Sequence, residues 1–89
     1  MEQKKLVVRG ESVHLTATEF KILQLLMSNP DRVFSAEEIY ERVWNSDAYA
    51  VENTVMIHIS RIREKLEINP KKPEYLKVVW GIGYKFEKP

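Results

Sequence analysis

The sequence predicts a single α+β domain in which a short β-hairpin is followed by three helices and a second β-hairpin. Three observations carry that reading. Two capping-box tetrads, Thr16-Ala17-Thr18-Glu19 and Ser35-Ala36-Glu37-Glu38, each open a run with helical apolar spacing. A longer run between them and the C-terminus has an apolar stripe and a separate mixed stripe. Short β-type runs punctuated by glycine stand at both ends.

The first element pairs residues 5–8 with 12–15, around a turn at Arg9-Gly10-Glu11. A hairpin this short is stable only when packed on something else. At Thr16 a hydroxyl is placed to accept an orphan helix N–H, and Glu19 to reach back. Phe20, Leu23, Leu26 and Met27 follow at helical spacing, giving a first helix of about three turns that stops at Ser28-Asn29-Pro30. The second capping box opens a shorter helix with Ile39, Tyr40, Val43 and Trp44 on one face. It ends at Asn45-Ser46-Asp47, and residues 45–52 form a loop. The third helix runs from about Asn53 to Ile68, closed by Asn69-Pro70 with Pro73 behind. Residues 75–80 and 84–88 flank Gly81-Ile82-Gly83 and form the last hairpin. The expected core is Leu15, Phe20, Leu23, Leu26, Ile39, Val43, Val55, Ile59, Ile62, Leu66, Val78 and Phe86.

Composition narrows the function classes. With 89 residues the chain makes one domain, residues 1–89, and 44% hydrophobic residues with 30% charged ones describe a folded globule. There is no cysteine, so disulfides and thiolate metal sites are excluded. No apolar run approaches the roughly 18–20 residues of a membrane span, and the polar start Met-Glu-Gln-Lys-Lys has no signal core. The expected location is cytoplasmic, with no membrane partner. The net charge of +1 hides an asymmetry. Residues 1–51 carry six Lys/Arg against eight acids, and residues 52–89 carry eight against five. The C-terminal part is where phosphate contacts are expected, although an imbalance of this size also arises by ordinary fluctuation.

The third helix carries the chemistry. At about 100° per residue, Val55, Ile59, Ile62 and Leu66 share one side and face the core. Thr54, Ile57, His58, Arg61 and Lys65 cluster about 120° away, and Met56, Ser60, Arg63 and Glu67 form a third side. The mixed stripe suits a DNA major groove. Arg offers a fork for guanine O6 and N7, and Thr and Ile side chains touch a thymine methyl. His and Lys reach flanking phosphates. A solvated face, with Glu64 and Glu67 pairing Arg61, Arg63 or Lys65, is the competing account. Ile57 tilts the balance, because a branched apolar residue amid polar ones prefers a partner surface. No nucleophile or carboxylate pair stands near either histidine, and His14 and His58 lack metal-ligand spacing. No enzyme activity, metal or cofactor is therefore expected.

These strings resemble the effector domain of the OmpR/PhoB response regulators. Leu15-Thr16-Ala17-Thr18-Glu19-Phe20 with Leu23 is similar to the family's first helix, as is Val33-Phe34-Ser35 followed by Val43-Trp44. Thr54-Val55, His58-Ile59, Arg61-Ile62-Arg63 and Lys65-Leu66 resemble its recognition helix, and Trp80-Gly81-Ile82-Gly83-Tyr84-Lys85-Phe86 its wing. The likeness covers about residues 6–88. It implies a winged helix-turn-helix that binds promoter DNA as direct repeats, monomeric alone and a tandem dimer on the site. It also implies a receiver domain phosphorylated by a sensor histidine kinase. That domain is absent from this sequence, so the chain is expected to be a fragment.

Carried over by position, the base-reading candidates are Thr54, Ile57 and Arg61. Phosphate candidates are Asn53, His58, Ser60 and Arg63, with Trp44 and Tyr84 from outside the helix; Lys65 is a phosphate candidate from the stripe alone. For Trp44 core packing is an equal alternative, and for Tyr84 sheet packing is the slightly favoured one. The loop of residues 45–52 resembles a segment that touches RNA polymerase, with Asp47 and Tyr49 as candidates, although an ordinary connector explains it as well. The sequence also departs from the family. Trp80 stands where Arg is common in the wing, and Asn53, Ser60 and Ala36 stand where cations are frequent. Weak binding by a single domain follows, with useful affinity from two adjacent copies. Two rivals remain open: a protein-interaction winged helix anchored on Ile57 and Tyr49, and the same DNA-binding domain from a one-component or membrane-anchored regulator.

Overall fold

The computed structural model describes residues 4–8, 10–46 and 51–87. The order is β1 (Lys4–Val8), β2 (Glu11–Leu15), α1 (Ala17–Met27), α2 (Ala36–Trp44), α3 (Glu52–Leu66), β3 (Leu76–Val79) and β4 (Gly83–Phe86). The α+β architecture and the element order agree with expectation. β1 and β2 pair antiparallel, from Lys4 opposite Leu15 to Val8 opposite Glu11. β3 and β4 do the same, from Leu76 opposite Phe86 to Val79 opposite Gly83.

Both capping boxes form. The Thr16 hydroxyl accepts from Glu19 N–H at 3.1 Å and the Thr16 N–H donates to Glu19 Oε1 at 3.1 Å. Ser35 and Glu38 repeat the exchange at 3.1 and 3.2 Å. Each box satisfies helix N–H groups that are otherwise unpaired. Asn45 ends α2 in the left-handed region, at φ 54°, a conformation that asparagine tolerates. α3 differs: it begins at Glu52 after Val51, which makes no side-chain cap, and ends at Leu66, two residues before the expected stop.

Glu67 explains the early end. Its backbone is extended, and its buried carboxylate accepts from three N–H groups, those of Glu74 (2.8 Å), Tyr75 (3.0 Å) and Leu76 (2.9 Å). The side chain thus ties the loop after α3 to the start of β3. The three N–H groups offset the cost of burying the charge.

The core is built by α1, α2 and α3 on the two hairpins. Leu15, Leu23, Leu26, Ile39, Val55, Ile59, Ile62, Leu66 and Phe86 are buried as expected. Phe20 and Val43 are only partly buried, and so is Val78. In their place Ile22, Phe34, Val51 and Leu76 are buried, and Met27 is exposed. The apolar face of α1 is therefore rotated toward Glu19, Ile22, Leu23 and Leu26.

Phe34 fixes the last hairpin to the body. Its N–H donates to Tyr84 O and its carbonyl accepts from Tyr84 N–H, both at 2.8 Å. Gly83 makes this approach feasible, because a Cβ there would lie 2.0 Å from the Phe34 carbonyl oxygen. Gly81, at φ 76°, makes the turn between the strands. The hairpin is a wing held beside α3.

Candidate nucleic-acid interface

α3 presents its outer side to solvent because its inner side is fully occupied. Val55, Ile59 and Ile62 have no exposed surface and Leu66 has almost none. Asn53, Thr54, Ile57, Ser60 and Arg61 are all exposed on the remaining surface. Ile57 keeps 46% of its surface in solvent, and Met56 beside it keeps 48%. Met56 was not among the residues singled out from sequence. Its exposure on a face otherwise polar is the signal that could have found it.

At the N-terminal flank of this surface an aromatic column runs from α2 to α3. Tyr40 and Trp44 stack at 4.7 Å with their planes 10° apart. Trp44 then meets His58 at 5.3 Å, with the two rings nearly perpendicular. The i, i+4 spacing of Tyr40 and Trp44 puts them one turn apart on the same face. Trp44 is thus half-buried, packed against the core and also bordering the outer face. His58 Nδ1 lies 2.8 Å from the Thr54 carbonyl oxygen, one turn back on its own helix.

The C-terminal flank is built by the wing. Arg63 is half-buried under β3, and its Nε–H donates to the Leu76 carbonyl at 2.9 Å. Arg63 Nη2 is buried with no hydrogen-bond partner among the described residues. Burial pulls the guanidinium below its ordinary pKa, opposed by the neighbouring Tyr84 and Glu67. Burial likewise pushes the Tyr84 hydroxyl up, while the Arg63 charge pulls it down. A cleft of about 520 Å³ opens here, bordered by Arg63, Lys71, Pro73, Lys77 and Trp80. Trp80 stands at the wing tip with 89% of its surface exposed, and Ile82 across the turn keeps 62%.

Lys65 is placed differently from expectation. Its ammonium lies 2.6 Å from Glu19 Oε1, and the Glu19 side chain is only 2% exposed. Burial works to raise the Glu19 carboxyl. The Lys65 hydrogen bond, the Thr16 N–H and the Lys65 and His58 charges outweigh it, leaving the group below the usual carboxylate range. In place of a cation free to reach a phosphate, α3 has an ammonium bound to α1. The competing solvated-face account, which pairs Glu67 with α3 cations, fails at this residue, because its carboxylate is bound to the loop N–H groups.

The structure therefore brings Thr54, Ile57, Ser60 and Arg61 together on one open surface, with Asn53 at its N-terminal end. It sets Trp44 and His58 at one flank, and Arg63, Tyr84 and Trp80 at the other. Ala36 is buried in the first turn of α2. Asp47 and Tyr49 lie outside the described residues. Among the described residues no helix is long and apolar enough to cross a membrane.

Comparison with known proteins places this geometry in a family. The family described as "Transcriptional regulatory protein, C terminal" matches residues 10–86. The uncharacterized transcriptional regulatory protein YcbL of Bacillus subtilis is 47% identical over 76 residues, covering 85% of this chain and 34% of that protein. The solved structure of response regulator DrrB from Thermotoga maritima, an OmpR/PhoB homolog, is 35% identical with a TM-score of 0.81. It covers 90% of this chain and 36% of its own. The RstA DNA-binding domain of Klebsiella pneumoniae, solved in complex with the RstA box, is 25% identical with a TM-score of 0.84, over 93% of this chain and 82% of its own. This chain spans about a third of the length of the curated relatives it matches. It belongs to the C-terminal family of transcriptional regulatory proteins, the winged-helix DNA-binding effector domains of OmpR/PhoB-type response regulators.

Proposed function

We propose that this domain places a two-component response regulator on promoter DNA by laying α3 in the major groove. Thr54, Ile57 and Arg61 read base edges. Asn53, His58, Ser60 and Arg63 hold phosphates, joined by Trp44 and Tyr84 at the two flanks. The observation that carries the reading is the division of α3: one side fully buried, the other a continuous exposed surface of hydroxyl, aliphatic and guanidinium groups. A guanidinium can fork onto guanine, and the aliphatic and hydroxyl neighbours suit a thymine methyl. Arg63 adds support. Its half-buried guanidinium is held to the Leu76 carbonyl and borders the cleft under the wing, which keeps a cation at this flank.

The wing supplies a contact of a different kind. Trp80 has no charge to place in a groove, so it packs on sugar or donates its indole N–H to a phosphate. Asn53, Ser60 and Trp80 each provide no cation, which lowers the number of counterions released. Affinity then comes from two domains on adjacent half-sites of a direct repeat. In the whole regulator a receiver domain, phosphorylated by a sensor histidine kinase, would promote that pairing. Asp47 and Tyr49 are proposed contacts for RNA polymerase.

The test is selection from a random duplex library using two copies of the domain joined by a flexible linker, at low and moderate salt. A direct repeat with half-sites about one helical turn apart is the expected product. Absence of DNA binding even at low salt would overturn the reading. The exposed Met56 and Ile57 would then mark a protein-binding face, with binding insensitive to salt.

A further inference from the structure

His58 is held in one ring orientation by two neighbours. Nδ1 lies 2.8 Å from the Thr54 carbonyl oxygen, and the Trp44 ring stands across the imidazole at 5.3 Å and 80°. A carbonyl oxygen only accepts, so Nδ1 carries a hydrogen. A neutral imidazole has a single N–H, and here it is spent inside the helix. The other nitrogen, Nε2, then presents a lone pair. A phosphate oxygen also only accepts. Neutral His58 would meet a phosphate lone pair to lone pair, whereas the imidazolium offers an N–H and a positive charge.

We propose that His58 engages the DNA backbone as the imidazolium, so that binding is linked to proton uptake at this residue, at most one proton per bound domain. The inference rests on the DNA-binding reading above and adds to it the charge state of one contact. The surroundings leave that charge for the phosphate to meet. From α1, Glu19 senses His58 electrostatically, but its carboxylate is already bound to Lys65 at 2.6 Å. From α2, His58 meets the uncharged Trp44 ring, with the Tyr40 phenol stacked behind it. On α3 itself the nearest charge along the helix is the cation Arg61, one turn on, with Glu52 and Glu64 about two turns away on either side and Lys65 bound to Glu19. Among the described residues no carboxylate forms an ion pair with His58, and a phosphate supplies that role.

The experiment measures binding of two linked copies of the chain to a duplex carrying the selected direct repeat between pH 6 and 8, at constant low ionic strength. Wild type is compared with His58→Gln, whose amide can donate but does not titrate. Wild-type affinity is expected to fall with rising pH toward a limit of about tenfold per pH unit per domain. His58→Gln is expected to lose that slope while still binding. It retains His14 and the amino terminus, so the difference isolates His58. A nuclear magnetic resonance titration of the two histidines gives a second readout. Duplex should shift the His58 midpoint to higher pH and leave His14, exposed on β2, in place. Binding by wild type with equal affinity at pH 6 and pH 8 would overturn the proposal and leave the DNA reading intact. A slope that survives in His58→Gln would also overturn it. No binding at any pH would instead reject the underlying DNA reading.

Discussion

The two flanks of α3 achieve similar ends by different physics. At the N-terminal flank, contacts run mainly along a helix: Tyr40 stacks on Trp44 and His58 bonds one turn back to Thr54, with the Trp44–His58 ring contact joining α2 to α3. At the C-terminal flank they join one element to the next. Arg63 reaches Leu76, Glu67 collects three N–H groups from the next segment, and Phe34 bridges Tyr84. The first flank is held by ring contacts and one hydrogen bond within α3. The second depends on the wing being held in place. Damage at the wing should therefore propagate to stability, whereas damage at the column should stay in binding.

The largest effect is expected from Gly83→Ala. The added Cβ would collide with backbone, 2.0 Å from the Phe34 carbonyl oxygen, so relief requires the bridge to open. Overpacking of this kind costs about 3 kcal/mol, the upper end of its usual range. Thermal or urea unfolding would measure it. A loss no larger than that of an exposed surface substitution would show that the bridge does not fasten the wing.

Next is the Glu19–Lys65 pair, which joins α1 to α3 between the flanks. Lys65→Met strands a buried carboxylate and should cost about 2 kcal/mol, against about 1 kcal/mol for Glu19→Gln, which keeps the capping acceptor. The pH dependence has a definite sign. The folded carboxyl titrates below its ordinary value of 4.5, so its stabilisation is fully present above that value and is lost as pH falls through the folded pKa. Wild type and Glu19→Gln should converge in stability in that acid window. Convergence on the alkaline side would contradict the assignment.

A smaller effect separates binding at the two flanks. Arg63→Gln should lower the salt slope of DNA binding by about 0.9, the value for one phosphate contact on B-DNA. Trp80→Ala should weaken binding without moving the slope, since no charge is removed. Salt titrations of both variants would test the contrast, and equal slopes for wild type and Arg63→Gln would remove Arg63 from the phosphate set.

What could be read from the sequence divides between spacings within one helix and contacts between elements. Capping boxes at Thr16 and Ser35 and the buried stripe of Val55, Ile59, Ile62 and Leu66 were legible because they depend on spacings of three or four residues. The outer face of α3 was legible for the same reason, being what the core stripe leaves over. The Phe34–Tyr84 bridge joins residues fifty positions apart and has no local signature. Glu67 and Lys65 resembled ordinary helix-surface charges, and only tertiary packing turned one into a loop clamp and the other into a tie to α1. In α1, Phe20 and Met27 fit a helical stripe as well as Ile22 does. The choice between them is made by which side meets the core, where Ile22, Leu23 and Leu26 are buried and Glu19 pairs with Lys65.

The most direct test of the account is the effect of Arg61→Ala on site preference, measured one base pair at a time on the selected direct repeat. The expected result is a loss of about 1–3 kcal/mol per half-site, concentrated at one base pair whose preference relaxes. An equal loss at every sequence, with preferences intact, would make Arg61 a phosphate contact and contradict the claim that the outer face of α3 reads bases.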